Sequence, residues 1–187
     1  MSVAEHKAHA PAAGAVRVAV VTVSDSRTPD TNEGGRLVSR LARDAGFQVI
    51  DETIVRDEPA DVRALLKEWL PGERIDAVLL TGGTGVSGRD ATVEAVNCLI
   101  EKPIPGYGEL FRALSFAEIG AAAMLSRALA GTVGNVVLFL MPGSPAGARL
   151  AMEKLIVPEL SHVVGELRRH ARPEHGHGAH GDHRRGG

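Results

Sequence analysis

The sequence predicts an α/β domain whose sheet is mostly parallel, with one antiparallel hairpin added to it. Three observations carry that prediction. Arg17-Val18-Ala19-Val20-Val21-Thr22-Val23 is an unbroken, β-branched apolar run of the kind found in strands buried on both faces. Three such strand-like runs are each followed by a helix-like stretch, the alternation that builds parallel sheets through right-handed crossovers. The third run feeds the glycine-rich stretch Thr81-Gly82-Gly83-Thr84-Gly85-Val86-Ser87-Gly88-Arg89-Asp90, and the third helix-like segment begins at Ala91. Strand, glycine loop and helix together can hold a phosphate, because glycine backbone approaches a ligand closely and a helix start adds positive dipole.

In order along the chain, residues 1–15 carry scattered His and Ala without the apolar core of a signal peptide. They are expected to be a loose, flexible arm. After the first strand, Ser24-Asp25-Ser26-Arg27 is a polar loop, with Pro29 beyond it. Asn32-Glu33-Gly34-Gly35 opens a helix that presents Leu37, Val38, Leu41 and Ala45 on one face and stops at Gly46. Residues 47–55 form a second strand, more polar and therefore expected nearer an edge. Arg56-Asp57-Glu58-Pro59 starts the next helix, with Pro59 suited to its first turn and Val62, Leu65, Leu66, Trp69 and Leu70 as its apolar stripe. The third strand runs from Ile75 to Leu80.

Beyond the glycine loop, a short helix is expected to about Ile100, broken by Lys102-Pro103-Ile104-Pro105-Gly106. Residues 109–116 and 119–125 read as helices, and 128–133 with 136–141 as a hairpin turning at Gly134-Asn135. Ser144 is placed to cap the helix that Pro145 begins, and Leu150, Leu155, Ile156, Leu160, Val163, Val164 and Leu167 point inward from the helices that follow. From Ala171 the chain is Gly, His and charge, which cannot repay ordering entropy, so residues 171–187 are expected to be a disordered tail with no assigned role. The domain proper is expected to span residues 16–170.

Composition narrows the function. The chain has 187 residues, enough for one real core. A formal charge of −2 gives no electrostatic case for nucleic acid or an anionic membrane, and 3% aromatic content leaves little for base stacking. No apolar run approaches the roughly 20 residues of a membrane helix. One cysteine, Cys98, excludes an internal disulfide framework and fits a reducing cytoplasm, the expected location. Its apolar neighbours predict that Cys98 is buried rather than nucleophilic. Of eight histidines only His162 lies within the body, which leaves chemistry to carboxylates, hydroxyls, arginines and backbone amides.

Open parallel sheets bind ligands outside the carboxyl ends of their strands. That rule gathers Ser24, Asp25 and Ser26, then Asp57, then Thr81 to Asp90, then Pro142, Gly143 and Ser144 at one rim. Two acidic groups with a glycine loop between them suit phosphoryl or nucleotidyl transfer, with carboxylates holding Mg²⁺ and amides holding phosphate oxygens. Hydrolysis of a small nucleotide by the same carboxylates is an alternative at this point. Each residue also has a purely structural reading: Asp90 and Ser144 as caps, Asp57 as a helix-dipole partner, Ser24 and Asp25 as turn formers.

The ordered motifs go further. Val23-Ser24-Asp25-Ser26-Arg27, Thr81-Gly82-Gly83-Thr84-Gly85 with Arg89-Asp90, and Gly106-Tyr107-Gly108-Glu109 resemble the molybdopterin adenylyltransferase family of molybdenum-cofactor biosynthesis (MoaB/MogA-like). So do Ser115-Phe116-Ala117-Glu118-Ile119-Gly120, Leu125-Ser126-Arg127 and Met141-Pro142-Gly143-Ser144-Pro145, and the segment 115–120 is most similar to the B-type branch. The resemblance covers about residues 16–165. It implies a three-layer α/β/α sandwich that assembles as a trimer or hexamer. It also implies Mg²⁺-dependent transfer of AMP from ATP to the terminal phosphate of molybdopterin, with hand-off to a molybdenum insertase. A non-catalytic molybdopterin-binding or carrier protein is the alternative. Carried over by motif, Asp57 and Asp90 are the catalytic and Mg²⁺-holding aspartates. Ser24, Asp25, Ser26, Thr81, Gly82, Gly83, Thr84, Gly85, Ser126, Arg127, Pro142, Gly143 and Ser144 are the nucleotide- and pterin-binding candidates.

Overall fold

The computed structural model describes residues 10–88 and 90–171. Arg89, the readings made for residues 1–9 and those made for the His-rich stretch from 172 onward lie outside the described residues. Within them the sheet has six strands in the order β2-β1-β3-β6-β5-β4. These are β1 (Arg17–Val23), β2 (Gln48–Val55), β3 (Ala77–Thr81), β4 (Lys102–Pro103), β5 (Leu129–Val133) and β6 (Val136–Met141). β2, β1, β3 and β6 run parallel, and β5 pairs antiparallel with β6 as the expected hairpin. β2 stands at one edge, as its polar sequence predicts. The other edge is β4, a two-residue strand that the Pro-rich sequence around it hid.

The helices are α1 (Glu33–Asp44), α2 (Pro59–Trp69), α3 (Thr92–Asn97), α4 (Pro105–Ile119), α5 (Pro145–Ala151) and α6 (Val157–Ala171). A 3-10 turn (Gly120–Leu125) follows α4, and a π turn (Met152–Ile156) joins α5 to α6. The wide turn falls just before Pro158, which has no N–H to give a helical carbonyl. Alternating strand residues separate two cores, as the two-residue side-chain period of a strand requires. Val18, Val20, Leu79, Val137 and Phe139 pack under α1, α4, α5 and α6, whereas Ala19, Val21, Leu80, Leu138 and Leu140 pack under α2 and α3. The molecule is therefore a three-layer α/β/α arrangement.

Four local readings change. α3 ends at Asn97, short of Ile100, and α4 begins at Pro105, four residues before Glu109. Cys98 is exposed, not buried. The inward face of α3 is Thr92, Ala95 and Val96, and Cys98 follows as the C-cap residue, turned away from that face. Of the stretch read as an arm, Ala13–Ala15 form a 3-10 turn, held where Gln48 Nε2 donates to the Gly14 carbonyl at 2.5 Å.

At the amino ends of the strands, Asp76 is buried and collects several donors. Arg17 contributes its backbone N–H at 2.8 Å, Nε at 3.0 Å and Nη2 at 3.1 Å. Arg168 pairs with the same carboxylate at 2.8 Å and also reaches the Ala15 carbonyl at 2.8 Å. Burial pushes the Asp76 carboxyl up, but the hydrogen bonds from Arg17 and Arg168 outweigh it and hold the group below its ordinary value.

Candidate functional site

The carboxyl ends of β1, β2, β3 and β6 open onto one cleft of about 550 Å³. Ser24, Asp25, Ser26, Asp57, Gly82 to Gly85, Asp90 and Gly143 line it, so the strand-end rule places these predicted residues together. Each arrives by local chemistry. At the end of β1, Ser24 Oγ accepts the N–H groups of Ser26 and Arg27, both at 3.2 Å, which curls the loop. Asp25 Oδ1 accepts the Asp57 N–H at 3.1 Å and so ties the loop after β1 to the loop after β2. Asn32 caps α1 by accepting the Gly35 N–H at 3.0 Å, and its side chain also bonds Thr22 Oγ1 at 2.9 Å.

The glycine loop is shaped by what it must pass. Thr81, buried at the end of β3, donates from Oγ1 to the Pro142 carbonyl at 2.9 Å and docks the loop against the chain leaving β6. Gly82 has φ +116 and lies so close to β1 that a Cβ would sit 2.2 Å from the Val23 carbonyl oxygen. Gly83 has φ +61, and a Cβ there would meet Thr92 Oγ1 at 1.9 Å and Asp57 Oδ1 at 2.9 Å. Only glycine satisfies both the backbone angle and the space. At the far end, Asp90 Oδ2 accepts the Ser87 N–H at 2.9 Å and closes a turn on itself. The capping reading of Asp90 is not what forms: the N-cap of α3 is Ala91, without a side-chain bond.

Asp57 and Asp90 thus stand on either side of the glycine loop, both partly buried. Thr92 Oγ1 donates to Asp57 Oδ1 at 3.0 Å. The sequence points to Thr92 only as a residue at a helix start, and its contact with a residue 35 positions away is invisible there. Among the described residues no three His, Cys, Asp or Glu side chains gather to hold a metal ion.

Arg127 does not line this cleft. Its Nε donates to the Gly85 carbonyl at 2.8 Å and its Nη2 to the Asp90 carbonyl at 2.6 Å, while Nη1 pairs with Glu94. Its backbone N–H adds a bond to the Thr84 carbonyl at 3.2 Å. The Glu94 carboxyl is lowered, first by a bond to its own backbone and then by Arg127. Ser126 and Ser144 face a smaller compartment of about 230 Å³ beside Thr84 and Gly85, which also includes Pro142 and the buried Ser115. Ser126 Oγ is buried there with no hydrogen-bond partner among the described residues. Ser144 Oγ accepts the Gly147 N–H at 3.2 Å, so it caps α5 as its sequence position suggests. On the opposite flank a cleft of about 650 Å³ shares Thr22, Ser24, Asp25 and Asn32 and extends along β2. The rim therefore has a polar centre and two side compartments.

The sequence and the fold are shared with known proteins. Residues 19–162 match the family described as probable molybdopterin binding domain. A molybdenum cofactor biosynthesis protein B of Bacillus cereus is 48% identical over 170 residues, covering 90% of this chain and 99% of that protein. A crystal structure of a molybdenum cofactor biosynthesis protein B superposes with a TM-score of 0.80 at 48% identity, over 82% of this chain and 96% of the other. The tungsten cofactor synthesizing protein MoaB of Pyrococcus furiosus superposes with a TM-score of 0.74 at 32% identity, over 82% and 97%. With 48% identity across nearly the whole of a relative and the same fold in solved members, the chain belongs to the MoaB/MogA family of molybdopterin-binding-domain proteins, alongside molybdenum cofactor biosynthesis protein B.

Proposed function

We propose that this protein acts in molybdenum-cofactor biosynthesis by binding molybdopterin at the rim and transferring AMP to it from ATP. The observation that carries the reading is the placement of Asp57 and Asp90 on the two flanks of a loop whose Gly82 and Gly83 admit no Cβ, within one cleft. The terminal phosphate oxygen of molybdopterin attacks the α-phosphorus of ATP. The bond from that phosphorus to the β-phosphate oxygen breaks, pyrophosphate leaves, and a phosphoanhydride to AMP remains. The nucleophile is already an anion, so no histidine base is required.

The donor set fits Mg²⁺. Thr92 occupies one oxygen of Asp57 and the Ser87 N–H occupies one oxygen of Asp90, leaving the second oxygen of each unbonded among the described residues. A Mg²⁺ that travels with nucleotide phosphates takes only one or two carboxylates from the protein. When bound it supplies neutralisation of phosphate charge. The chain's own groups orient the reaction: backbone at Gly82, Gly83, Thr84 and Gly85 faces the phosphates, and Ser24, Asp25 and Ser26 bound one side. Thr81 and Gly143 bound the other, with Ser126, Pro142 and Ser144 in the adjoining compartment and Arg127 holding the loop rather than the ligand.

Pyrophosphate release from ATP, Mg²⁺ and molybdopterin tests the reading, with loss expected in Asp90→Asn. The matched family description names molybdopterin binding and not transfer, which favours a second reading: a non-catalytic binding or carrier protein of the same pathway. Its signature is molybdopterin binding without ATP dependence that survives Asp57→Asn and Asp90→Asn, and no pyrophosphate under saturating conditions.

Assembly into a homotrimer or homohexamer is part of the proposal. Leu110, Phe116 and Ile119 on α4 and Met124 and Leu125 on the following turn are all more than half exposed, an apolar face that a second copy of the chain suits. Light scattering on the purified protein reads the mass directly. No helix among the described residues is long and apolar enough to cross a membrane, and we place the protein in the cytoplasm with a molybdenum insertase as recipient of its product.

A further inference from the structure

We infer that Thr92 is a positioning residue for Asp57, and that the start of α3 sets where that carboxylate stands. The inference rests on the adenylyl-transfer reading for its kinetic consequence but not for its geometry. Thr92 is fully buried, yet its hydroxyl is not used to cap the helix it begins, since Ala91 is the N-cap. Its one donor proton goes to Asp57 Oδ1 at 3.0 Å. Gly83 lies directly against this pair: a Cβ there would lie within 2.9 Å of both the Thr92 hydroxyl and the Asp57 carboxylate. The glycine loop and the carboxylate are therefore aligned on the same hydroxyl. On the other side Asp25 fixes the Asp57 backbone through its N–H at 3.1 Å. Main chain and side chain of Asp57 are thus held by different residues, and among the described residues only Thr92 holds the side chain in a defined direction.

The same short helix reaches the second carboxylate by another route. Glu94, two residues on, pairs with Arg127, whose guanidinium holds the carbonyls of Gly85 and Asp90. A helix of six residues thereby anchors both flanks of the loop. Partners that orient a carboxylate which in turn meets a cation are worth about 10- to 100-fold in affinity or rate.

Thr92→Val keeps the branched shape and removes the donor, whereas Thr92→Ser keeps the donor and loses a methyl. Two readouts on the full chain separate the possibilities: Mn²⁺ affinity in the presence of ATP, and kcat against KM for pyrophosphate release. Thr92→Val should weaken Mn²⁺ and lower kcat by about tenfold or more, with KM for molybdopterin little changed and the thermal midpoint retained. Thr92→Ser should recover most of both. Wild-type Mn²⁺ affinity in Thr92→Val, no wild-type Mn²⁺ binding, or equal loss in Thr92→Ser and Thr92→Val overturns the inference. If the wild-type protein binds Mn²⁺ but releases no pyrophosphate, the transfer reading fails. The Thr92→Val effect on Mn²⁺ then still decides the positioning role.

Discussion

The two ends of the sheet both carry aspartates, and they use them in opposite ways. At the amino end Asp76 is buried and surrounded by donors from Arg17 and Arg168, so its charge is fully engaged and its carboxyl is held low. At the carboxyl end Asp57 and Asp90 are partly buried, and among the described residues each carboxylate takes one hydrogen bond, from Thr92 and from Ser87 respectively. One end satisfies a carboxylate to fasten the fold. The other positions two carboxylates and leaves capacity for a ligand. The difference predicts that charge removal at the two ends will separate stability from activity.

The largest expected effect is in rate. Asp90→Asn keeps an acceptor for the Ser87 N–H, so the turn should form, but the charge facing the cleft is lost. Turnover should fall by about 10²- to 10³-fold with the unfolding midpoint unchanged. Parallel loss of stability and rate would show that Asp90 belongs with Asp76 as a fold residue.

The converse is Asp76→Ala. Removing one partner of a buried ion pair costs about 3–5 kcal/mol, and the lower figure applies because Arg17 and Arg168 are 35% and 39% exposed and can turn to water. Turnover of the folded fraction should persist. A pH signature accompanies it. Asp76 is lowered in the folded state, so its stabilisation is complete above the ordinary carboxylate range. It is lost as pH falls through that range toward the folded value, because the unfolded chain takes up the proton first. Urea unfolding from neutral to acid pH should show this slope in the wild type and a shallower one in Asp76→Asn.

Much of this layout could be read from sequence because strands with apolar residues on both faces announce themselves. β1, β3 and β6 were legible, and with them the rim where Ser24, Asp57, Asp90 and Gly143 meet. Contacts across long separations were not. Thr92 reads as a helix start until Asp57 is placed beside it, and nothing in the sequence shows that the Arg127 guanidinium reaches two carbonyls of the glycine loop. β4 was missed because two residues carry no periodicity, and Cys98 because its apolar neighbours do not reveal which side of a short helix it takes.

Arg127 sits between the two patterns, a cation engaged in structure but engaged on the functional loop. Arg127→Gln removes the fork from the Gly85 and Asp90 carbonyls, which lie where water can partly replace it. The expected cost is about 1–2 kcal/mol of stability and a fall in kcat smaller than that of Asp90→Asn. Arg127→Lys can reach one carbonyl but lacks the planar fork, so it should rescue only part of either loss. If Arg127→Gln instead raises KM for ATP alone, with stability and kcat intact, the guanidinium serves the ligand and the clamp assignment fails.

The smallest effect addresses a rim residue that the geometry assigns to structure. Ser144 faces the side compartment beside Thr84, but its Oγ accepts the Gly147 N–H and caps α5. Ser144→Ala should cost about 1 kcal/mol, seen as a shift in the urea midpoint, while Ser144→Asp, another N-cap former, should restore it. Ligand affinity decides the matter. A cap predicts that Ser144→Ala binds molybdopterin as the wild type does once folded. A loss of affinity with no change in stability would move Ser144 from the fastened part of the molecule to the part that meets substrate.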